Sequence, residues 1–320
     1  MNNLLNWLLE GPPWVEYRVR LDLLGQTEQA PEVLSAKKNL LKDKQIKEII
    51  EELQNWPGPA LRGHKEPTHP IHKLTFLSDI GLNINDPGID LIINKILSHQ
   101  SKEGIFQLYI DIPKHFGGTG KGLWTWMLCD APLILYSLIK LGLKEDTEVI
   151  NAVNYLVSLI SENGWRCMVS PNIRFRGPGK KDDPCPYSTF LMLKLLSQID
   201  KLIDSKETKI GVEAILSLWE KSRERHPYLF YMGTDFRKLK APLLWYDILH
   251  ILDALSLFSW SKNDLRLIEM KDILESKADK NERFTPESVY TKLNGWDFSQ
   301  KKEPSRWITF LAYRILERFK

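Results

Sequence analysis

Three cysteines in 320 residues are too few for a disulfide scaffold, and an odd count leaves at least one thiol unpaired. That usage fits a reducing compartment in which thiols stay free or bind metal, so a cytoplasmic protein is expected. Long hydrophobic runs are missing too. No apolar stretch reaches the ~18 to 20 residues of a membrane span, which argues against an integral membrane segment. Residues Met1 to Glu10 lack the basic flank and small-residue cleavage site of a signal peptide. Charge of one sign is scarce as well. A net charge of +3 gives no electrostatic footprint for a nucleic acid, so none is expected as a partner.

What is present is a balance of 43 % hydrophobic and 27 % charged residues, that of a globular chain with a sizeable core. Proline suits the first turn of a helix and is excluded from its interior, so prolines serve as punctuation. Pro13, Pro70, Pro132, Pro186, Pro242 and Pro304 each open a similar segment, at spacings of 54 to 62 residues. A repeat of that length and regularity is an array of like units.

Each unit combines two helical stretches. After Pro132, the run Leu133, Ile134, Leu135, Tyr136, Leu138, Ile139, Leu141 is apolar almost all round, as a helix buried on every side must be. The stretch that follows places Val149, Ile150, Val153, Leu156, Val157 and Ile160 at three- and four-residue steps, a single stripe that covers one face. Ile89 to Leu97 and Ile46 to Leu53 repeat that stripe. The expectation is an all-α fold in which residues 1–320 form a single domain. Its inner helices begin near 14, 70, 131, 186, 243 and 305, with about six outer helices around them. The sixth has no outer partner before Lys320; the apolar Leu4, Leu5, Trp7, Leu8 and Leu9 are expected to supply it and close the ring.

The units also end alike, in polar turns followed by an aromatic: Phe106 after SHQSKEGI, Trp165 after ISENG, Phe284 after SKADKNER. These endings resemble the repeats of squalene and hopene cyclases and the glycine-phenylalanine turns of protein prenyltransferase β subunits. The resemblance implies an α/α toroid, a closed ring of helices around a central cavity. It does not extend to cyclase chemistry. The Asp-x-Asp-Asp acid that protonates an alkene is missing. So is a magnesium-binding Asp-Asp-x-x-Asp, because Asp182-Asp183 runs into Pro184, Cys185 and Pro186.

Function is sought at the ends where the inner helices begin, since those loops would share one mouth. His64, His69, His72, Cys129, Asp130, Cys167, Asp182, Asp183, Cys185, Asp247 and His250 all map there. Thiolate, imidazole and carboxylate are the ligand types of zinc. Asp183-Pro184-Cys185 resembles the aspartate-x-cysteine pair that supplies two zinc ligands in prenyltransferase β subunits. That resemblance implies Asp183, Cys185 and His250 as metal ligands, with Asp247 the alternative third and Cys167 a weaker candidate. The opposing reading leaves the cysteines as small buried hydrophobes and Asp183 as a helix cap.

Two basic clusters precede inner-helix starts: Arg174, Arg176, Lys180 and Lys181 in one loop, Arg237, Lys238 and Lys240 in another. Arginine forks and lysine point charges suit a diphosphate. Trp126, Tyr187, Trp245 and Tyr246 are candidates to line a cavity for an isoprenoid tail or other apolar substrate. Asp130 and Asp247 are the catalytic candidates; with Asp111 they also form the paired carboxylates of a carbohydrate-active alternative. A non-catalytic toroid that binds a peptide or partner protein is the other alternative.

Overall fold

A computed structural model of the chain describes residues 2–173, 175, 182–224 and 226–320. It is about half helical with little sheet. Thirteen α-helices occur among the described residues: α1 (Asn2–Leu9), α2 (Pro13–Asp22), α3 (Pro31–Lys42), α4 (Lys44–Leu53), α5 (Pro70–Asp79), α6 (Ile89–Leu97), α7 (Ala131–Leu138), α8 (Thr147–Ser158), α9 (Pro186–Leu196), α10 (Lys206–Glu220), α11 (Ile248–Leu255), α12 (Leu265–Glu275) and α13 (Arg306–Glu317). The only sheet among them is an antiparallel pair, β1 (Leu108–Ile110) and β2 (Leu123–Thr125), in the register Tyr109 to Trp124.

Five of the six proline-marked starts carry a helix where expected. Pro13, Pro70 and Pro186 open α2, α5 and α9, Pro132 is the second residue of α7, and Pro304 precedes Ser305, the N-cap of α13. The start expected near 243 is displaced: α11 begins at Ile248, because the carboxylate of Asp247 accepts the His250 N–H at 3.0 Å and caps the helix there. Every residue of α7, α9 and α11 is buried, as is all of α5 except Lys73. Striped helices cover one face only. In α8, Val149, Val153 and Leu156 are buried while Ile150 is exposed.

The chain divides into two compact units, residues 1–50 with 234–320 and residues 51–233, with the boundary inside α4. In the first unit α13 packs against α11, α12, α2 and α1, so the N-terminal segment lies beside the last helix. Arg306 donates from Nε to the Trp7 carbonyl at 2.9 Å and stacks its guanidinium 4.7 Å from the Trp7 ring centre. In the second unit α7 packs between α5 and α9, with α8 and α10 outside α7 and α9.

Each unit ties three helices with charge. In the second unit Asp79 of α5 accepts the Tyr136 hydroxyl of α7 at 2.5 Å and faces Lys140 and the buried Lys194 of α9, each at 3.7 Å. In the first, Arg314 of α13 meets Asp253 of α11 at 2.8 Å and Asp22 of α2 at 3.8 Å. A buried charge without a partner costs several kcal/mol, so these pairs fix the register of the helices that carry them.

Gly164 shows what the turn before an aromatic requires. Its φ of +117° is one that side-chain-bearing residues rarely adopt, and a Cβ there would meet Thr189 Oγ1 at 3.1 Å and Ala214 at 3.2 Å. The turn therefore seats Trp165, fully buried, with its indole N–H on the Leu156 carbonyl at 2.9 Å.

Candidate functional site

The second unit draws four chain segments together. Leu128 N–H donates to the Met168 carbonyl at 2.9 Å and Ser170 N–H to the Trp126 carbonyl at 3.0 Å, which sets residues 126–130 beside 167–170. Cys185 N–H donates to the Trp165 carbonyl at 2.7 Å, which brings the start of α9 to the same place. A third loop arrives through Leu61, whose N–H and carbonyl pair with Tyr109 and Asp111 of the β1 region at 2.8 and 3.0 Å. That loop delivers His64.

His64 Nδ1 lies 2.9 Å from Asp130 Oδ1. Carboxylate oxygen accepts, so Nδ1 carries the proton and Nε2 is left as the basic nitrogen. Asp130 occupies the N-cap position of α7 but makes no capping bond; its second oxygen accepts instead from the Cys129 thiol at 3.7 Å. Ligand atoms of His64, Cys129 and Asp130 all lie within 4.8 Å of one another. His72 holds this arrangement from behind, donating from Nε2 to the His64 carbonyl at 2.9 Å. Burial lowers the His72 pKa to about 4, with His69 adding repulsion, so His72 is a neutral clamp. His69 serves as the N-cap of α5 through its Nδ1.

Electrostatics mark the cluster as well. Burial disfavours the His64 imidazolium, yet the Asp130 carboxylate, its hydrogen bond and Cys185 outweigh it and raise the pKa. Burial pushes the Cys129 thiol up, and Asp130 and Cys185 push it further. Cys167 and Cys185 are coupled electrostatically, and the coupling drives their thiols apart. The Cys167 thiol is raised, while Cys185 is lowered to about 6 by its coupling to Cys167, its sulfur accepting the Ser188 N–H at 3.5 Å against burial. The Tyr187 ring centre stands 5.5 Å from that of His64 and stacks on Phe230 at 6.4 Å. Tyr228 adopts a φ of 55°, and burial raises its hydroxyl pKa to about 12. Beside these residues a groove of about 760 Å³ runs along α10; Lys206, Lys209, Glu213 and Leu218 line it, with Pro184 and Pro227.

Of the expected metal ligands, Cys185 belongs to this neighbourhood. It, and not Asp183, caps α9, its sulfur accepting the Ser188 N–H at 3.5 Å. Asp247 and His250 belong to the other unit. There His250 Nδ1–H donates to the Trp245 carbonyl at 2.7 Å. Asp247 is fully buried with Oδ2 unpaired, and burial raises its pKa to about 7 against the opposing charge of Lys240.

The remaining candidates are placed as follows. Trp126 is buried, its indole N–H donating to Glu103 at 3.2 Å, so it packs in the core. Trp245 and Tyr246 are half-buried and meet edge to face at 5.4 Å. Arg237 is exposed, Lys238 pairs with Asp235 at 3.2 Å, and Asp111 pairs with Arg62 at 3.0 Å. Arg174, Arg176, Lys180 and Lys181 lie outside the described residues. His64 and Cys129 escaped the expected ligand set, although the shared end of the repeats already grouped them with Asp130 and Cys185.

No protein-family model matches the chain, and no curated protein matches it.

Proposed function

We propose that this chain is an α/α toroid of the terpenoid-cyclase and prenyltransferase kind. On this reading it binds an isoprenoid or similarly long apolar substrate, and the cluster of His64, Cys129 and Asp130 is its zinc centre. One observation carries the reading: a thiol, an imidazole and a carboxylate from loops 66 residues apart converge within 4.8 Å. These donors fit zinc. Magnesium and calcium demand oxygen ligands, whereas sulfur and nitrogen favour a borderline-soft ion.

Support for the ring comes from each unit taken by itself. One packs α5, α7 and α9 in chain order, and the other packs α11, α13 and α2, an arc that runs across the two ends of the chain. Arcs of buried helices packed in chain order are the parts from which a toroid is built.

In the second unit, Asp130 holds the His64 proton at Nδ1 and so fixes which nitrogen faces a bound group. A zinc ion there supplies a fixed positive charge that keeps neighbouring thiols deprotonated. Tyr187 and Phe230 present ring surface to an apolar ligand. Two measurements test the reading: the metal content of protein purified without chelator, and calorimetric titration with farnesyl or geranylgeranyl diphosphate. About one zinc per chain and saturable binding of the diphosphate are expected. Metal-free, ligand-indifferent protein sinks the reading.

A further inference from the structure

The loop that joins β1 to β2 in the second unit carries an exposed aromatic among lysines. We infer that its tip, residues 113–121, is a contact for an anionic lipid surface: Phe116 enters the headgroup layer, and Lys114 and Lys121 meet lipid phosphates. The loop contributes no residue to the His64, Cys129 and Asp130 cluster, so the inference stands independently of the zinc reading.

Hydrogen bonds within the loop fix the shape of the tip. At its base β1 and β2 pair in register, and the Tyr109 ring crosses Gly122 so closely that a Cβ there would meet it at 2.5 Å. Beyond the strands Gly118 N–H donates to the Pro113 carbonyl and Gly120 N–H to the Ile112 carbonyl, each at 3.2 Å, which closes the loop on itself. Thr119 Oγ1 accepts the Lys121 N–H at 3.3 Å. Lys114–Phe116 form a single 3₁₀ turn, and Gly117 ends it with a φ of +90° and its N–H on the Lys114 carbonyl at 3.0 Å. Backbone groups that satisfy one another leave the side chains of the turn to face outward.

Those side chains are one ring among cations. Phe116 is 36 % exposed, with His115 and Phe175 beside it at 4.2 and 6.0 Å between ring centres. Lys114 and Lys121 are exposed, and neither is ion-paired among the described residues. The Lys114 stem lies over Gly120, 3.5 Å from its Cβ position, which sets it beside Lys121. No acidic residue stands between Asp111 and Asp130, and Asp111 is itself taken by Arg62 at 3.0 Å.

Charge and ring together select the partner. A nucleic acid is held by many phosphate contacts, and two lysines supply few. A bilayer surface offers phosphate and apolar depth at every point, so one ring with two lysines suffices for a weak, reversible contact that reaches ~5 to 10 Å into the headgroups. Burying the exposed part of the ring strengthens such a contact roughly tenfold, and each lysine near an anionic surface about fivefold.

The experiment sediments the full chain with vesicles of phosphatidylcholine alone and with vesicles of phosphatidylcholine and phosphatidylglycerol in equal parts. Binding to the mixed vesicles only, released by added salt, is expected. Phe116→Ser should weaken it roughly tenfold, while Phe116→Trp should keep it. Lys114→Gln combined with Lys121→Gln should weaken it about 25-fold. All three positions are exposed, so each variant should keep the circular dichroism and denaturation midpoint of the parent. Protein that binds neither kind of vesicle overturns the inference. So does a Phe116→Ser variant that binds as tightly as the parent, which reduces the contact to charge. Equal binding to the uncharged vesicles removes the part of the lysines, and a DNA duplex that binds where the vesicles do not gives them another partner; either result overturns it too. None of these outcomes bears on the zinc reading.

Discussion

Thr189 and Trp165 hold each other twice: Thr189 Oγ1 accepts the Trp165 N–H at 3.0 Å and donates its own hydrogen to the Trp165 carbonyl at 3.1 Å. The same device recurs in the other unit, where Phe284 N–H donates to Thr309 Oγ1 at 3.0 Å and the Phe284 carbonyl accepts from the Ser305 N–H at 3.0 Å. In both cases the threonine stands four residues after the N-cap, Cys185 or Ser305. It fastens the buried aromatic that ends one repeat to the first turn of the next helix.

Replacing that hydroxyl by a methyl leaves a buried N–H without a partner, which costs ~1 to 3 kcal/mol. Thr189→Val and Thr309→Val are therefore expected to lower the denaturation midpoint, each by a similar amount, while Thr189→Ser stays near the parent. Urea denaturation followed by circular dichroism reads the difference. A Thr189→Val protein as stable as Thr189→Ser shows the bonds to be idle.

Gly164→Ala acts on the same junction from the other side. A positive φ and a Cβ at 3.1 Å from Thr189 Oγ1 both oppose the substitution, so a loss of ~1 to 3 kcal/mol is expected. Gly63, with nothing near its Cβ position, is the matched control and should tolerate alanine. Equal stability of the two variants contradicts the strain.

The helix-tying charges make a third test. Arg314→Met removes the cation shared by Asp253 and Asp22, which keep Arg318 and Arg18 as partners, and should destabilise by about 1.5 to 3 kcal/mol, while Arg314→Met combined with Asp253→Leu should cost less than the sum of the single losses. A double-mutant cycle measures the coupling. Additive losses argue that the ions act independently.

Asp247 sets a pH dependence. Burial raises its folded pKa to about 7 from 3.8, so the folded state binds this proton more tightly than the unfolded chain does. Its contribution to stability is complete below about pH 4, falls as the pH rises toward 7, and is gone above that, a change of a few kcal/mol. Asp247→Asn keeps a cap oxygen for the His250 N–H and should flatten that slope, gaining stability relative to the parent at pH 8 and little at pH 4. Parallel pH profiles for the two proteins refute it. Lys240, Asp235 and Tyr290 face the same carboxyl and are left unchanged by this substitution.

The sequence by itself determined the helices and their character, since proline placement and apolar periodicity are local properties. Pro70 and Pro186 open helices where the spacing put them, and the runs after Pro132 and Pro186 are buried throughout because they offer no polar face. It also placed Asp130 and all three cysteines in the loops and first residues before buried helices. Only tertiary structure decided which of them meet. Cap chemistry moved the start expected near 243 to Ile248, and made Cys185, two residues past Asp183, the cap of α9. His64 reaches Asp130 across 66 residues because Leu61 pairs with the β1 region and His72 grips the His64 carbonyl. Such pairings join segments through backbone hydrogen bonds that any residue makes, so they leave no mark on residue type that a single sequence displays.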